Sequence, residues 1–377
     1  MRRSLIIAGG GIGGTAAALA LHRAGFAVTL YERAMAFTEV GAGMSLWPNA
    51  TRVLETLGVL EQLMSVGEPF TRFDLLKPDG RTISAVDMGG YDTPSLCLHR
   101  ADLHRCLRDR LPAGSLEVGQ RLLSFAHDKA GVSARFASGL EVCADGLIGA
   151  DGINSVVRAQ LHGTVPPVYR GYCIWRGIAQ FSDGIVPGHI SETWGAGQRF
   201  GILPMGGGRI CWYATRNAVS SQPDAPEGRK EEVHRLFRDW HHPIPSLIGA
   251  TEQSMIMKND AQDRLPLRSW GDGRVTLIGD AAHPITPNVG QGACMAIEDA
   301  ACLAKGLLAA PTVDAGFRAY EAMRRRRTAF VGVQSRRIGA VGQWENGWMV
   351  AGRDFITRLV LSHAADMRFN AVYSYKT

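Results

Sequence analysis

The chain has 377 residues, 46% hydrophobic and 20% charged, which is an ordinary globular composition but more than one compact core usually holds. Its formal charge of +6 invites a nucleic-acid partner, yet the run Arg324 to Arg327 supplies four of those positives and no nucleic-acid-binding motif accompanies it. The expectation is therefore two lobes, no nucleic acid, and a basic run lying on a solvated helix face.

Leu5 to Ala8 is a short apolar run that reads as a buried parallel strand. Gly9 to Gly14 (GGGIGG) follows, then an Ala/Leu-rich helix through Ala24 that stops at Gly25, and a second strand, Ala27 to Tyr31, ending in Glu32. Residues 71–96 and 166–216 are rich in β-branched and aromatic residues, with glycine breaks at Gly195–Gly197 and Gly206–Gly208. About three antiparallel strands are expected there, near 172–181, 189–203 and 209–215. The runs Gly146–Ala150 and Arg274–Ile278 read as further strands of the first sheet, whose carboxyl ends would share a ligand crevice. From Gly292 the pattern is helical, over Ala293–Leu308, Val313–Thr328 and beyond.

The fold class is thus α/β with an α+β insertion. A Rossmann-type nucleotide-binding domain in three pieces (1–70, 97–165 and 268–330) is interleaved with an antiparallel-sheet substrate domain (71–96 and 166–267), and 331–377 form a C-terminal helical region. Seven cysteines, an odd number with no CxxC pair, point to reduced, mostly buried thiols in a cytoplasmic protein. The first residues run straight into glycines and suit a strand better than a leader, and nowhere do about 18 apolar residues follow one another to span a membrane. His241-His242 lacks metal-ligand spacing and there is no GxSxG elbow, so no metal and no serine nucleophile are expected.

In Gly9-x-Gly11-x-x-Gly14 the first glycine permits a tight turn, the second lets backbone approach a pyrophosphate, and the third lets helix and strand pack closely. Glu32, 18 residues past Gly14, is placed to hold ribose hydroxyls and would repel a 2′-phosphate. Two later motifs are Gly149-Ala150-Asp151-Gly152 with Ser155 and Arg158, and Gly279-Asp280-Ala281-Ala282-His283-Pro284 with Pro287-x-x-Gly290-Gln291-Gly292.

In this order and spacing the three motifs resemble the single-component aromatic hydroxylases, the group A flavoprotein monooxygenases that include hydroxylases of salicylate, hydroxybenzoates and urate. The resemblance covers roughly residues 1–340, including the YRGYCIWRG and RFGILPMGGGR stretches. It implies noncovalent FAD, with NAD(P)H as a transient co-substrate because only one GxGxxG occurs. It also implies hydroxylation of a small aromatic or heteroaromatic molecule by way of a flavin C4a-hydroperoxide. By position it implies that Asp280 meets the ribityl chain and that Pro287, Gly290, Gly292 and Ala293 lie along the pyrimidine side of the flavin. Arg100 would reach the ribityl–phosphate region, or else be a surface arginine at a helix start. Asp151 would sit near the pyrophosphate, or else cap the following helix. Gly13, Arg33, Gly43 and Leu122 complete the implied cofactor set.

Arg199, Tyr213 and Pro287 are the residues expected nearest substrate and flavin. Strand alternation puts Arg199, Gly201 and Leu203 on one face, and Cys211, Tyr213 and Thr215 on one face of the next strand with Trp212 opposite. Arg199 matches a substrate-binding position of the urate hydroxylase, and its alternative is a salt-bridged rim arginine. That relative has a tyrosine twelve residues later where this chain has Cys211, so Tyr213 is the candidate substitute. His283 is read as structural or flavin-proximal. Two other functions remain open on sequence alone: a flavin reductase without oxygen insertion, and a non-catalytic flavin-binding scaffold whose basic tail docks an acidic partner or membrane surface.

Overall fold

The computed structural model describes residues 2–37 and 42–377, the side chains of 360–371 excepted. Along the chain come β1 (Ser4–Ala8), α1 (Ile12–Arg23), β2 (Ala27–Tyr31), β3 (Gly43–Leu46) and α2 (Pro48–Thr56). They are followed by β4 (Arg72–Leu76), β5 (Thr82–Asp87), α3 (Arg100–Arg108), β6 (Leu116–Glu117), β7 (Gly146–Gly149) and α4 (Val156–His162). The second lobe contributes β8 (Val168–Gln180), β9 (His189–Trp194), β10 (Gln198–Met205), β11 (Arg209–Asn217) and β12 (Met257–Asp263). The chain then returns through β13 (Val275–Leu277) to three helices, α5 (Gly292–Ala309), α6 (Val313–Gly342) and α7 (Gly347–Tyr373).

The first sheet is parallel throughout, in the order β13-β7-β1-β2-β6. Its strands are short apolar runs because both faces are covered, and Leu5 to Ala8 are at most 2% exposed. Three strands far apart in sequence therefore end side by side, bringing Gly9, Ala150 and Ile278 to one crevice.

The second sheet has seven strands, β12-β8-β11-β10-β9-β4-β5, where sequence pattern led us to expect about three in its main segment. The expected single strand over 189–203 is a hairpin. Gly197 takes a left-handed turn (φ +66°) and the Gly195 N–H donates to the Gln198 carbonyl at 2.8 Å, folding β10 back on β9. Strand β12 (MKNDAQD) hides its nature behind polar residues, as an edge strand does. One face of this sheet buries Trp175, Phe200 and Trp212 against Phe237 and Ile244. The other face looks toward the first lobe.

Helix α6 runs to Gly342 rather than ending near Thr328. Its last turns carry Gly332, Ser335, Gly339 and Gly342, poor helix formers that tertiary packing overrides. The basic run within it is not a solvated face either. Arg324 is fully buried, donating from Nε to Asp299 Oδ1 (2.7 Å) and pairing with Glu298, while Arg327 Nη2 donates to Glu298 Oε1 (2.6 Å). Only Arg325 and Arg326 of the four are exposed. The reason is on α5, whose adjacent Glu298 and Asp299 are fully buried and need two guanidinium partners.

Burial works against an ionised Asp299, but His283 and Arg324 outweigh it and hold its pKa at about 2. A carboxyl held below its unfolded value stabilises the fold above that value and loses the contribution as pH falls toward the folded one. We expect about 2 kcal/mol of stability to disappear between roughly pH 4 and pH 2 from this group. Urea titrations across that range should show a shallower pH slope in Asp299→Asn than in the parent. An equal slope would remove Asp299 as the source.

Candidate active site

The strand ends and the inner face of the second sheet enclose one cavity of about 1190 Å³. That exceeds the roughly 300–1,000 Å³ of a single-ligand pocket and leaves room for two ligands.

The cofactor end is built from glycines that nothing else could replace. A Cβ at Gly9 (φ +112°) would lie 2.4 Å from the Ala150 carbonyl oxygen, and one at Gly14 would lie 1.9 Å from that of Gly9. At Gly11, by contrast, a Cβ would meet nothing within 4 Å. Gly11 and Gly13 line the cavity where α1 begins, so the helix N-terminus faces space fit for a pyrophosphate. Glu32 is locked beside this loop by the Gly10 and Ala34 N–H groups, at 2.7 and 2.8 Å.

Asp280 opens into the cavity at the end of β13, and the surrounding walls strip enough water from its carboxyl to raise its pKa, with His283 and Arg100 pulling the other way. The guanidinium of Arg100 lines the cavity and makes no hydrogen bond among the described residues. A cation and a carboxylate that hydrogen-bond to no described residue, in one crevice, suit a ligand carrying both phosphate and hydroxyls. The 3₁₀ turn Pro287–Val289 and the left-handed Gly290 (φ +61°) lead into α5, whose first residues Gly292 and Ala293 also line the cavity. A Cβ at Gly290 would lie 2.9 Å from Trp47 Nε1, a buried donor with no partner among the described residues. A flavin ring edge with acceptor atoms fits beside such a donor and a helix N-terminus.

Gly43 reaches the cavity as well, packed against Cys211. Arg33 is exposed and Leu122 is in the core, and neither lines the cavity. Asp151 does not line it either: its Oδ2 accepts from the Val156 N–H (2.7 Å), capping α4, while Oδ1 is buried without a partner. His283 Nε2 is 2.6 Å from Asp299 Oδ2 and its ring packs on Trp270.

At the sheet end, strand pairing aligns Arg176, Tyr213, Gly201, Glu192 and Leu75 in one cross-strand row on the cavity face. The Tyr213 ring lies across Gly201, where a Cβ would come within 2.1 Å of it. Burial and the adjacent Glu192 carboxylate push the Tyr213 hydroxyl well above its ordinary pKa. Arg199 lines the cavity but is only 2% exposed, and each of its nitrogens has a partner: Nε donates to Gln343 (2.9 Å), Nη1 to Glu192 (3.2 Å) and Nη2 to Asn288 Oδ1 (2.7 Å). Trp212 faces away, as alternation requires.

Four residues escaped sequence reasoning. Asn288, between the two flavin-loop candidates, ties that loop to Arg199, to the Tyr172 hydroxyl (3.0 Å) and to the Ser335 carbonyl (2.9 Å). Arg176 lines the cavity with a single long contact to Asn259 (3.5 Å), and burial lowers its pKa. Glu192 needed the register to be seen. Tyr373 comes from the far end of the chain to stack on Trp47, centroids 4.5 Å apart.

A Rossmann-type sheet, a glycine cradle and one cavity with room for two ligands define an enzyme that pairs a nucleotide cofactor with a second molecule. The chain belongs to the FAD binding domain family, whose model matches residues 2–333. It is 40% identical to the aurachin C monooxygenase/isomerase of Stigmatella aurantiaca, over 97% of this chain and 96% of that one. It is 34% identical to a 6-hydroxynicotinate 3-monooxygenase of Bordetella bronchiseptica, over 87% and 89%. The structure of Klebsiella pneumoniae HpxO complexed with FAD and uric acid superposes with a TM-score of 0.90 at 26% identity, covering 99% of this chain and 96% of that one. The chain is an FAD-dependent monooxygenase of the aromatic hydroxylase family.

Asp280→Ala removes the open carboxylate without touching the core. FAD affinity should fall roughly tenfold to a hundredfold, the worth of one charged hydrogen bond, with the melting temperature of the apoprotein unchanged. Full flavin content after dilution would show that Asp280 does not hold the cofactor. A methyl group at Gly201 must displace the Tyr213 ring, at a typical overpacking cost of about 1–3 kcal/mol. Gly201→Ala should therefore keep FAD but lose ligand-induced changes in flavin absorbance; an unaltered titration would place the substrate away from Tyr213.

Proposed function

We propose that the enzyme uses NAD(P)H and O2 to place one oxygen atom on an electron-rich aromatic or heteroaromatic ring that carries an apolar substituent. The observation that supports this is the cross-strand row, which changes along its length from a cation at Arg176, through Tyr213 and Glu192, to Leu75. Beyond Leu75 the cavity is walled by Phe73, Val86, Met88, Ile338 and Val341, an apolar corridor. Relatives named for 6-hydroxynicotinate and 3-amino-4-hydroxybenzoate support an oxygenated ring at the polar end.

FAD, when bound, accepts hydride and activates oxygen. Gly11 and the start of α1 would hold its pyrophosphate, Glu32 its ribose, Asp280 and Arg100 its ribityl–phosphate region, and Pro287 to Ala293 its ring. In this reading Arg176 is the open guanidinium that orients an anionic ring oxygen, because Arg199 is committed to Glu192, Gln343 and Asn288. Glu192 beside the Tyr213 hydroxyl is placed to take the proton of a ring hydroxyl. The apolar walls keep water from the reacting face.

A series of 4-alkylphenols tests the reading. Each methylene buried in the corridor is worth roughly fourfold in affinity, so binding should tighten steadily from methyl to heptyl. Stimulated NAD(P)H oxidation should accompany a product heavier by one oxygen. Flat affinity across the series would dismiss the corridor, and NAD(P)H oxidation with only peroxide formed for every ligand would dismiss ring hydroxylation.

A further inference from the structure

Helix α7 is turned inside out. On an ordinary surface helix the apolar stripe faces the core and the charges face water. Here the charged pair Arg353 and Asp354 faces inward. Arg353 is 2% exposed, donating to the Gly195 and Gly342 carbonyls at 3.2 and 3.3 Å, and Asp354 beside it pairs with Lys77 at 3.4 Å. The outward stripe is Trp348, Met349, Phe355 and Ile356, at spacings i, i+1, i+7 and i+8, with Trp348 89% and Phe355 69% exposed. Phe330 of the neighbouring α6 is also exposed, so large apolar side chains gather on one side of the molecule.

Two further observations say what covers this face. The first is charge. Arg326 and Arg337 lie four residues before and seven after Phe330, on the same side of α6, and Arg358 follows the α7 stripe; all three are exposed. The second is continuity with the active site. Phe330, Arg337 and Ile356 line the cavity as well as being exposed, so they frame its mouth.

We propose that this stripe rests on an anionic bilayer surface, with Trp348 and Phe355 at the headgroup level, and that substrate enters from the lipid through the mouth it frames. No helix among the described residues is long and apolar enough to cross a membrane, so the contact is interfacial. A second copy of the chain is the poorer occupant. Symmetric pairing would gather six exposed arginines in one interface and close the mouth, whereas anionic headgroups neutralise the arginines and leave the mouth facing hydrocarbon. The entry route rests on the corridor reading above; the docking does not.

The test uses FAD-loaded full-length protein and sedimentation with vesicles of equal parts phosphatidylglycerol and phosphatidylcholine. Binding should be clear at low ionic strength, weaken with salt, and be far weaker on phosphatidylcholine alone. The double variant Trp348→Ser with Phe355→Ser should bind roughly tenfold or more weakly, while FAD content and melting temperature match the parent. No binding to the anionic vesicles would overturn the proposal, as would binding indifferent to the double variant. So would a dimer in solution that the double variant dissociates. None of these readings depends on turnover, so the docking can fail while the hydroxylase reading stands.

Discussion

Two adjacent acids that cannot reach water organise the active site. Glu298 and Asp299 sit nearly two turns inside α5, fully buried, and a buried carboxylate without partners costs several kcal/mol. Their demand for donors fixes three separate pieces of chain. Asp299 takes the Gly279 N–H (2.9 Å), setting the turn that presents Asp280, and it holds His283 and Arg324 as well. Glu298 takes the amide of Asn49 (2.6 Å) from α2 and the guanidinium of Arg327 from α6. Charge is balanced two against two, so the cluster adds little net stability over an apolar core. What it supplies is direction: the start of α5, where the Pro287–Gly290 loop enters, is held in one place against α1, α2 and α6.

Helix α6 carries that placement to the substrate side. Its small residues at 332, 335, 339 and 342 leave a shallow bed. A Cβ at Gly339 would fall 2.4 Å from the Asn288 amide, and one at Gly342 would fall 2.9 Å from Arg199 Cδ. The Pro287–Gly290 loop and strand β10 therefore meet on the same bed, joined by the Arg199–Asn288 hydrogen bond. Reaction rates depend steeply on the separation of reacting atoms, and misplacement by an ångström can cost a hundredfold. A guanidinium tied to Glu192 on the sheet, Gln343 after α6 and Asn288 in the loop is a suitable brace for that distance.

Sequence reasoning reached the parts whose chemistry is local. The glycines at 9, 11 and 14, Glu32 and the Gly279-Asp280 turn are each decided by a few neighbouring residues, and apolar runs betray buried parallel strands. It placed Tyr213 and Arg199 on the cavity face because alternation is a local property. It could not see that each nitrogen of Arg199 would meet a partner 7, 89 or 144 positions away, since those contacts exist only after the sheet pairs and α6 docks. The same holds for the basic run, where spacing gives no hint that Arg324 is a core residue. Arg176 alternates with Tyr172 and Ile174 in plain view, but its meeting with Tyr213 depends on register, which the sequence does not display.

That register also explains how one sheet can serve a ligand with unlike ends. Neighbouring strands in a row lie about 4.8 Å apart, so five residues from Arg176 to Leu75 span roughly 19 Å. A guanidinium and a leucine at opposite ends of that span experience different environments, because a charge in the middle is already compensated: Glu192 answers Arg199 and the Tyr213 hydroxyl. The row is thus polar at its Arg176 end and apolar at its Leu75 end. Past Leu75 the cavity wall also includes Phe330 of α6 and Ile356 of α7, both exposed, so the apolar part of the wall extends from the sheet to the surface helices.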